Sequence, residues 1–191
     1  MTELLKDKVC VVTGAGKGIG LSISKVFIEN GAKLAVITRS QEDADSLNAQ
    51  FKSENSNSIA ICGDVSEQDV VNRFIGEVVD KYGCIDVLIN NAGFGIKQSF
   101  IDSDLKREQE LLDVLVTAPM RLTHAVLPSM IKQNGGIIVN VSSIASWIAG
   151  GTYSAAKSYL TVFSEYLNNE LKGTRVKVSA LCPGFTRTEF H

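Results

Sequence analysis

Thr13-Gly14-Ala15-Gly16-Lys17-Gly18-Ile19-Gly20 stands between two patterned segments. The apolar run Val9-Cys10-Val11-Val12 before it predicts a buried strand. After it, Leu21 to Glu29 carries Ile23, Val26 and Phe27 at helical spacing. Glycines where a strand turns into a helix allow a tight turn and a close approach of backbone to ligand. The free N–H groups and the positive helix end then make an anion site, typically for phosphate. The usual G-x-G-x-x-G fingerprint fails, because Ile19 and Leu21 occupy the places where its last glycine would fall. Gly14, Gly18 and Gly20 follow G-x-x-x-G-x-G instead, and the flanking strand and helix predict a nucleotide loop.

Working outward, apolar strands alternate with helical segments. The second strand is Lys33 to Thr38, followed by a polar helix, Glu42 to Lys52, and a polar loop, Ser53 to Ser58. The third strand is Ile59 to Cys62, with Asp64-Val65 just beyond it. A helix from Glu67 to Tyr82 precedes the fourth strand, Asp86 to Asn90. Two helices, Leu105 to Leu115 and Pro119 to Gln133, lead to the fifth strand, Gly136 to Val141. The helix Tyr153 to Lys172 and the strand Val176 to Leu181 complete the pattern. Continuous Val/Ile/Leu strands suit a sheet covered on both faces. The alternation predicts an α/β protein with a parallel, doubly wound sheet of six strands in one domain, 1–191. Such sheets bind ligands beyond the carboxyl ends of the strands, at the switch in strand order.

The length of 191 residues suits one domain with a sizeable core. A net charge of −2 gives no electrostatic case for nucleic acid or an anionic membrane. No apolar run reaches transmembrane length, and the polar start, Met1 to Lys8, leaves no room for a leader, which implies a cytoplasmic protein. Cys10, Cys62, Cys84 and Cys182 form no C-x-x-C pair and read as buried reduced thiols. The two histidines, His124 and His191, have no paired ligands nearby, so no metal site is expected.

Tyr153 and Lys157 share a helix face. An ammonium beside a phenol favours the phenolate, which suits a general acid/base for alcohol–carbonyl chemistry. Ser142 and Ser143 end the fifth strand, where a hydroxyl could hydrogen-bond a substrate carbonyl. There is no G-x-S-x-G elbow and no obvious serine–histidine pair, which disfavours a hydrolase triad.

Taken together, Thr13-Gly14-x-x-x-Gly18-x-Gly20, Asp64, Asn90-Asn91-Ala92-Gly93, the serine pair, Tyr153-x-x-x-Lys157 and Pro183-Gly184 occur in one characteristic order. The chain resembles the classical short-chain dehydrogenases/reductases (SDR) over essentially its whole length. The resemblance implies a three-layer Rossmann fold, a nicotinamide cofactor and hydride transfer to or from a carbonyl or secondary alcohol. It implies Tyr153 as proton donor, Lys157 as holder of the nicotinamide ribose and tuner of Tyr153, and Ser143 as the group that orients substrate. It also implies that Gly14, Gly18, Ile19 and Gly20 cradle the cofactor and that Asp64 and Val65 flank the adenine. Asn90, Ala92, Gly93, Pro183 and Gly184 would line the cofactor, and Thr188 would reach the carboxamide.

Three departures stand out. Leu115 falls where the family carries a catalytic asparagine, and leucine cannot hold a relay water. Ser143 lies closer to Tyr153 than is usual, so either the loop from Ala145 to Thr152 is shortened or the choice within the serine pair is open. The chain ends at His191, soon after Pro183-Gly184, without the family's substrate-covering segment and seventh strand. An uncovered sheet edge there would invite association.

The end of the second strand reads Thr38-Arg39-Ser40, without the acidic residue that an NAD site places there. Arg39, Lys17 inside the glycine loop, and Ser40 predict an NADP(H) 2′-phosphate site, with Asp43 and Asp45 too far into the next helix to act. The expected activity is therefore an NADP(H)-dependent oxidoreductase acting on a small or lipophilic carbonyl or alcohol. The rival is a nucleotide-binding sensor or subunit with weak or no turnover. A purely structural oligomerisation unit would leave Lys157 and the glycine loop unexplained. A homodimer or homotetramer is expected through the helix after the fourth strand and the Tyr153 helix, where Leu122, Val126, Leu160 and Phe163 serve either contact or core.

Overall fold

A computed structural model describes residues 3–54 and 56–186. Six strands form one parallel sheet: β1 (Val9–Thr13), β2 (Lys33–Thr38), β3 (Ile59–Cys62), β4 (Val87–Asn90), β5 (Gly136–Val141) and β6 (Val176–Leu181). Their order is β3-β2-β1-β4-β5-β6, so the direction of winding switches between β1 and β4. The helices are α1 (Gly18–Glu29), α2 (Gln41–Ser53), α3 (Gln68–Tyr82), α4 (Leu105–Leu112), α5 (Ala118–Lys132) and α6 (Gly151–Glu170).

Alternation along β1 assigns the layers. Cys10 and Val12 join Leu34 and Val36 in a core with Leu47 and Phe51 of α2, against which Ile23 and Phe27 of α1 pack. Val9 and Val11 point the other way, into a core with Phe74 and Val78 of α3, Leu122 and Val126 of α5 and Leu167 of α6. With both faces covered, a residue's polarity along a strand carries no alternation, which is why the strands read as continuous apolar runs.

Side-chain caps start two of the helices. Ser40 caps α2 by accepting a hydrogen bond from the Asp43 N–H at 3.2 Å. Asp104 caps α4 in the same way, accepting from the Lys106 N–H at 3.0 Å.

The predicted break before Pro119 is absent. A five-residue π-turn, Asp113–Thr117, joins α4 and α5 into one helix, Leu105–Lys132. The wider turn takes up the proline, whose missing N–H and bulky ring would disturb a regular helix interior. The fused helix has 28 residues, long enough to cross a membrane, and its most apolar 18-residue stretch has a mean hydropathy of 1.3. Much of its apolar surface packs within the domain, where Leu111, Leu115, Leu122, Val126 and Met130 are buried.

Of the positions that could serve either contact or core, Leu122, Val126 and Leu160 are buried in the domain; Met120, Ile131, Val162 and Tyr166 are exposed apolar residues of these helices. Of the four cysteines only Cys10 is fully buried, and all four are unpaired.

Candidate active site

The glycine loop leaves the end of β1 and turns into α1. Gly14 has φ of +66°, and a side chain there would place its Cβ 2.7 Å from the Ala92 Cα. A Cβ on Gly20 would lie 2.4 Å from the Gly14 carbonyl oxygen, so this glycine packs the helix against its own loop. The loop after β4 is laced to the same turn. Asn91 Nδ2 donates to the carbonyls of Thr13 and Gly14 at 2.9 and 3.0 Å. The Thr13 hydroxyl accepts from the N–H groups of Asn91 and Ala92, both at 3.0 Å. No side chain caps α1 at Lys17, and its first turn holds no acidic residue, which leaves the positive helix end for an anion.

A cleft of about 480 Å³ opens over this switch point. Its wall includes Gly14, Lys17, Gly18 and Ile19 from the loop, Thr38, Arg39, Ser40 and Asp43 from the end of β2, and Asp64 and Val65 beyond β3. Ala92, Gly93 and Phe94 continue it, and Ser143, Tyr153, Lys157, Pro183 and Gly184 close the far end. Gly20 and Asn90 are not on that wall. Asn90 is buried beneath it, with Nδ2 donating to Asn140 Oδ1 at 2.7 Å and to Thr123 Oγ1 at 3.3 Å. Thr188 lies outside the described residues.

At the nucleotide end, the Arg39 guanidinium lies 5.9 Å from the Phe94 ring centroid, and Arg107 lies 4.1 Å from it. Asp43 also reaches this end, against the expectation that it sits too far along its helix. Its Oδ2 accepts a hydrogen bond from Thr38 Oγ1 at 3.4 Å. The signal was its place in the first turn of α2, since helical side chains lean toward the helix start. Phe94 carried no comparable signal.

At the far end, the two serines separate. Ser142 is buried; its hydroxyl donates to the Lys157 carbonyl at 2.8 Å and lies 2.9 Å from Thr161 Oγ1. Ser143 faces the cleft and is hydrogen-bonded to Tyr153. Its Oγ also accepts from the Ala145 N–H at 3.1 Å, starting a 3₁₀ turn, Ile144–Trp147, that the sequence did not announce. Lys157 is buried; its Nζ donates to the Val141 carbonyl at 2.6 Å and lies 5.6 Å from the Tyr153 ring centroid.

Burial pushes the Lys157 ammonium down to about 8. Burial also raises the Tyr153 phenol above its ordinary value, and the hydrogen bond with Ser143 pulls the other way. The expected lowering of the phenol by Lys157 is therefore not what dominates. The ammonium is engaged by the Val141 carbonyl beside the ring. Leu115 is completely buried in the π-turn and packs with Leu111 and Ala156, with Tyr153 against this cluster.

This geometry joins a phosphate-type cradle to a Ser-Tyr-Lys cluster in one cleft, and it agrees with what comparison with known proteins finds. The chain belongs to the short-chain dehydrogenase family, whose model matches residues 8–191. A short chain dehydrogenase of Pseudocercospora fijiensis is 35% identical over 190 residues, covering 97% of this chain and 62% of the relative. This chain therefore spans less than two-thirds of that relative's length. A short-chain dehydrogenase/reductase of Burkholderia phymatum, solved with NAD, superposes with a TM-score of 0.93 at 26% identity, covering 100% of this chain and 69% of that one. L-Sorbose reductase of Gluconobacter frateurii, solved with NADPH and L-sorbose, superposes with a TM-score of 0.91 at 26% identity, covering 99% and 73%. The fold thus holds either nicotinamide dinucleotide in proteins similar to this one.

Proposed function

We propose that this chain forms the cofactor-binding and catalytic part of an NADP(H)-dependent oxidoreductase, acting on a small or lipophilic carbonyl or secondary alcohol. The observation that carries this reading is the Ser143–Tyr153–Lys157 cluster, set in the same cleft as Lys17, Arg39 and the glycine loop. The residues fit a dinucleotide: a backbone cradle at the helix end, cations where β2 ends, and a proton donor at the far end. Bound nicotinamide supplies or accepts the hydride. Tyr153, with its phenol held above the ordinary range, is protonated at neutral pH and gives that proton to a carbonyl oxygen in reduction. Ser143 donates a hydrogen bond to the same oxygen, and Lys157 holds the ribose beside Tyr153. Asp64, Val65, Ala92, Gly93, Pro183 and Gly184 line the cofactor's path. Ile144, Ile148 and Phe185 on the cleft wall are partly or largely exposed apolar groups and support a lipophilic substrate. We read the protein as cytoplasmic, pairing as a dimer or tetramer through the faces that carry Met120, Val162 and Tyr166.

The cofactor preference rests on charge. Arg39 and Lys17 suit a 2′-phosphate, Ser40 adds a lesser donor, and Thr38 replaces the acidic residue that would select a 2′-hydroxyl. NADP(H) should bind at least roughly tenfold tighter than NAD(H), about 1.4 kcal/mol. Replacing Thr38 by Asp together with Arg39 by Ala should reverse the order. Separate titrations of NADPH and NADH, followed by an NADPH-consumption screen over a carbonyl panel, test the whole reading; equal or tighter binding of NADH overturns the preference. The second reading, a nucleotide-binding protein without turnover, is favoured by the apolar filling around Leu115, and a screen with binding but no consumption would establish it.

A further inference from the structure

The geometry points to Asp43 as a second reader of the adenosine 2′ position, favouring a hydroxyl there and opposing a phosphate. This rests on the reading that the 2′ position lies where β2 ends. Asp43 is the third residue of α2, and its carboxylate leans back over the start of that helix. On one side it touches Thr38, whose hydroxyl donates to Oδ2 at 3.4 Å. On the other it rests against the glycine loop: a Cβ on Gly16 would lie 2.5 Å from Asp43 Oδ2 and 3.0 Å from Thr38 Oγ1. The carboxylate therefore occupies the corner between loop and strand end, on the cleft wall that also carries Lys17, Arg39 and Ser40.

Among the described residues, no lysine or arginine closes a salt bridge with Asp43. One long hydrogen bond from Thr38 leaves most of its acceptor capacity unused. A carboxylate only accepts hydrogen bonds, so a ribose hydroxyl can satisfy it, whereas a phosphate brings like charge and no hydrogen. Arg39 and Lys17 only donate and make the opposite selection. The two sets stand on one wall. The site accordingly accepts both cofactors, and its margin for NADP(H) is narrower than the two cations alone would set.

The test is the ratio of NADH to NADPH dissociation constants, read by fluorescence titration on the full chain. Asp43→Asn keeps the size and a contact to Thr38 while removing the charge. It should raise the ratio about fivefold, the scale of one solvent-screened like-charge contact. The rise should shrink when salt goes from about 0.05 M to about 0.5 M. Asp43→Ser should give the same direction. Because both ligands are measured on the same protein, a general loss of stability cancels from the ratio. A ratio within roughly twofold of wild type for both variants overturns the role of Asp43. Arg39→Ala separates this from the cation reading. If it lowers the ratio while the Asp43 variants do nothing, only the present inference falls. If the Asp43 variants raise the ratio and Arg39→Ala leaves it unchanged, Asp43 stands and the assignment of Arg39 falls.

Discussion

At the glycine-loop end of the cleft the wall is built on the turn from Gly14 to Ile19, with the side chains of Lys17, Arg39 and Asp43 beside it, whereas at the far end it is built on the side chains of Ser143, Tyr153 and Lys157. The first end needs little more than close packing of loop on loop, secured by Asn91 and Thr13. The second rests on a buried polar network. Asn90 donates to Asn140 at 2.7 Å, and Asn140 donates to Ser164 at 2.8 Å. Ser142 ties the end of β5 to the Lys157 carbonyl. Backbone sites tolerate any side chain that does not intrude. Sites made from side chains inherit every demand of the polar groups that hold them, because an unpaired buried group costs about 1–3 kcal/mol.

The sharpest test of this contrast is Tyr153→Phe. Deleting the transferable proton should lower kcat by about 10²- to 10⁴-fold while nucleotide affinity stays within roughly twofold. Steady-state kinetics on an accepted substrate, beside an NADPH titration, decide it. A variant with near wild-type kcat would remove Tyr153 from the chemistry.

A smaller effect separates the two ends by stability. Gly14→Ala forces a side chain into a left-handed position and toward the Ala92 backbone. It should cost about 2 kcal/mol and weaken nucleotide binding roughly tenfold or more. Asn140→Ala should cost a similar amount, about 1–3 kcal/mol, by removing the nearer acceptor of Asn90 and the donor to Ser164 from a buried network. It should lower kcat and spare nucleotide affinity. Urea melts with NADPH titrations read both; equal affinity losses would erase the distinction.

The smallest effect belongs to Glu108, which is buried between the loop before α4 and the start of the Tyr153 helix. Its Oε1 accepts from the Ser103 hydroxyl at 2.6 Å, and its Oε2 is buried without a hydrogen-bond partner of good geometry. Ser103 first, and the Thr152 hydroxyl second, hold this carboxyl below its ordinary value of 4.5. A lowered value in the fold means that its stabilisation is complete above 4.5 and is lost as pH falls through the lower folded value. Glu108→Gln should flatten the drop in Tm over that acidic range. Parallel Tm curves for the two proteins would exclude Glu108 as a contributor.

Legibility in the sequence follows the same contrast. The glycine spacing and the apolar strands are local patterns, so the loop, the sheet and most helices could be read directly. Tyr153 and Lys157 were legible because one helix turn brings them together, but the direction of the Tyr153 shift was not. It depends on burial, which raises the phenol, and on the Ser143 hydrogen bond, which opposes that, both of which are tertiary. Asp43 is remote from the end of β2 by chain position, yet its helix brings its carboxylate back to Thr38. Leu122 and Leu160 showed helical spacing without showing which way their face turns, and both turn inward. Pro119 carried the mark of a helix start and instead sits just past a π-turn within a longer helix.

That π-turn sets the phase of the long helix. The Ala118 N–H donates to the Asp113 carbonyl, one residue further back than in a regular turn. Each residue of an α-helix advances the face by about 100°, so the extra one rotates everything after it by that angle. Before and within the turn, Leu111 and Leu115 meet Ala156 of α6. After it, Leu122, Val126 and Met130 meet the sheet side of the core. One rod thereby meshes with two partners lying in different directions, like a shaft cut with a single offset between two gears. Exchanging a residue within Asp113–Thr117 changes one tooth. Forcing the same residues into a regular pitch would turn half the shaft out of mesh, so the wide turn, more than any one side chain in it, sets the two faces.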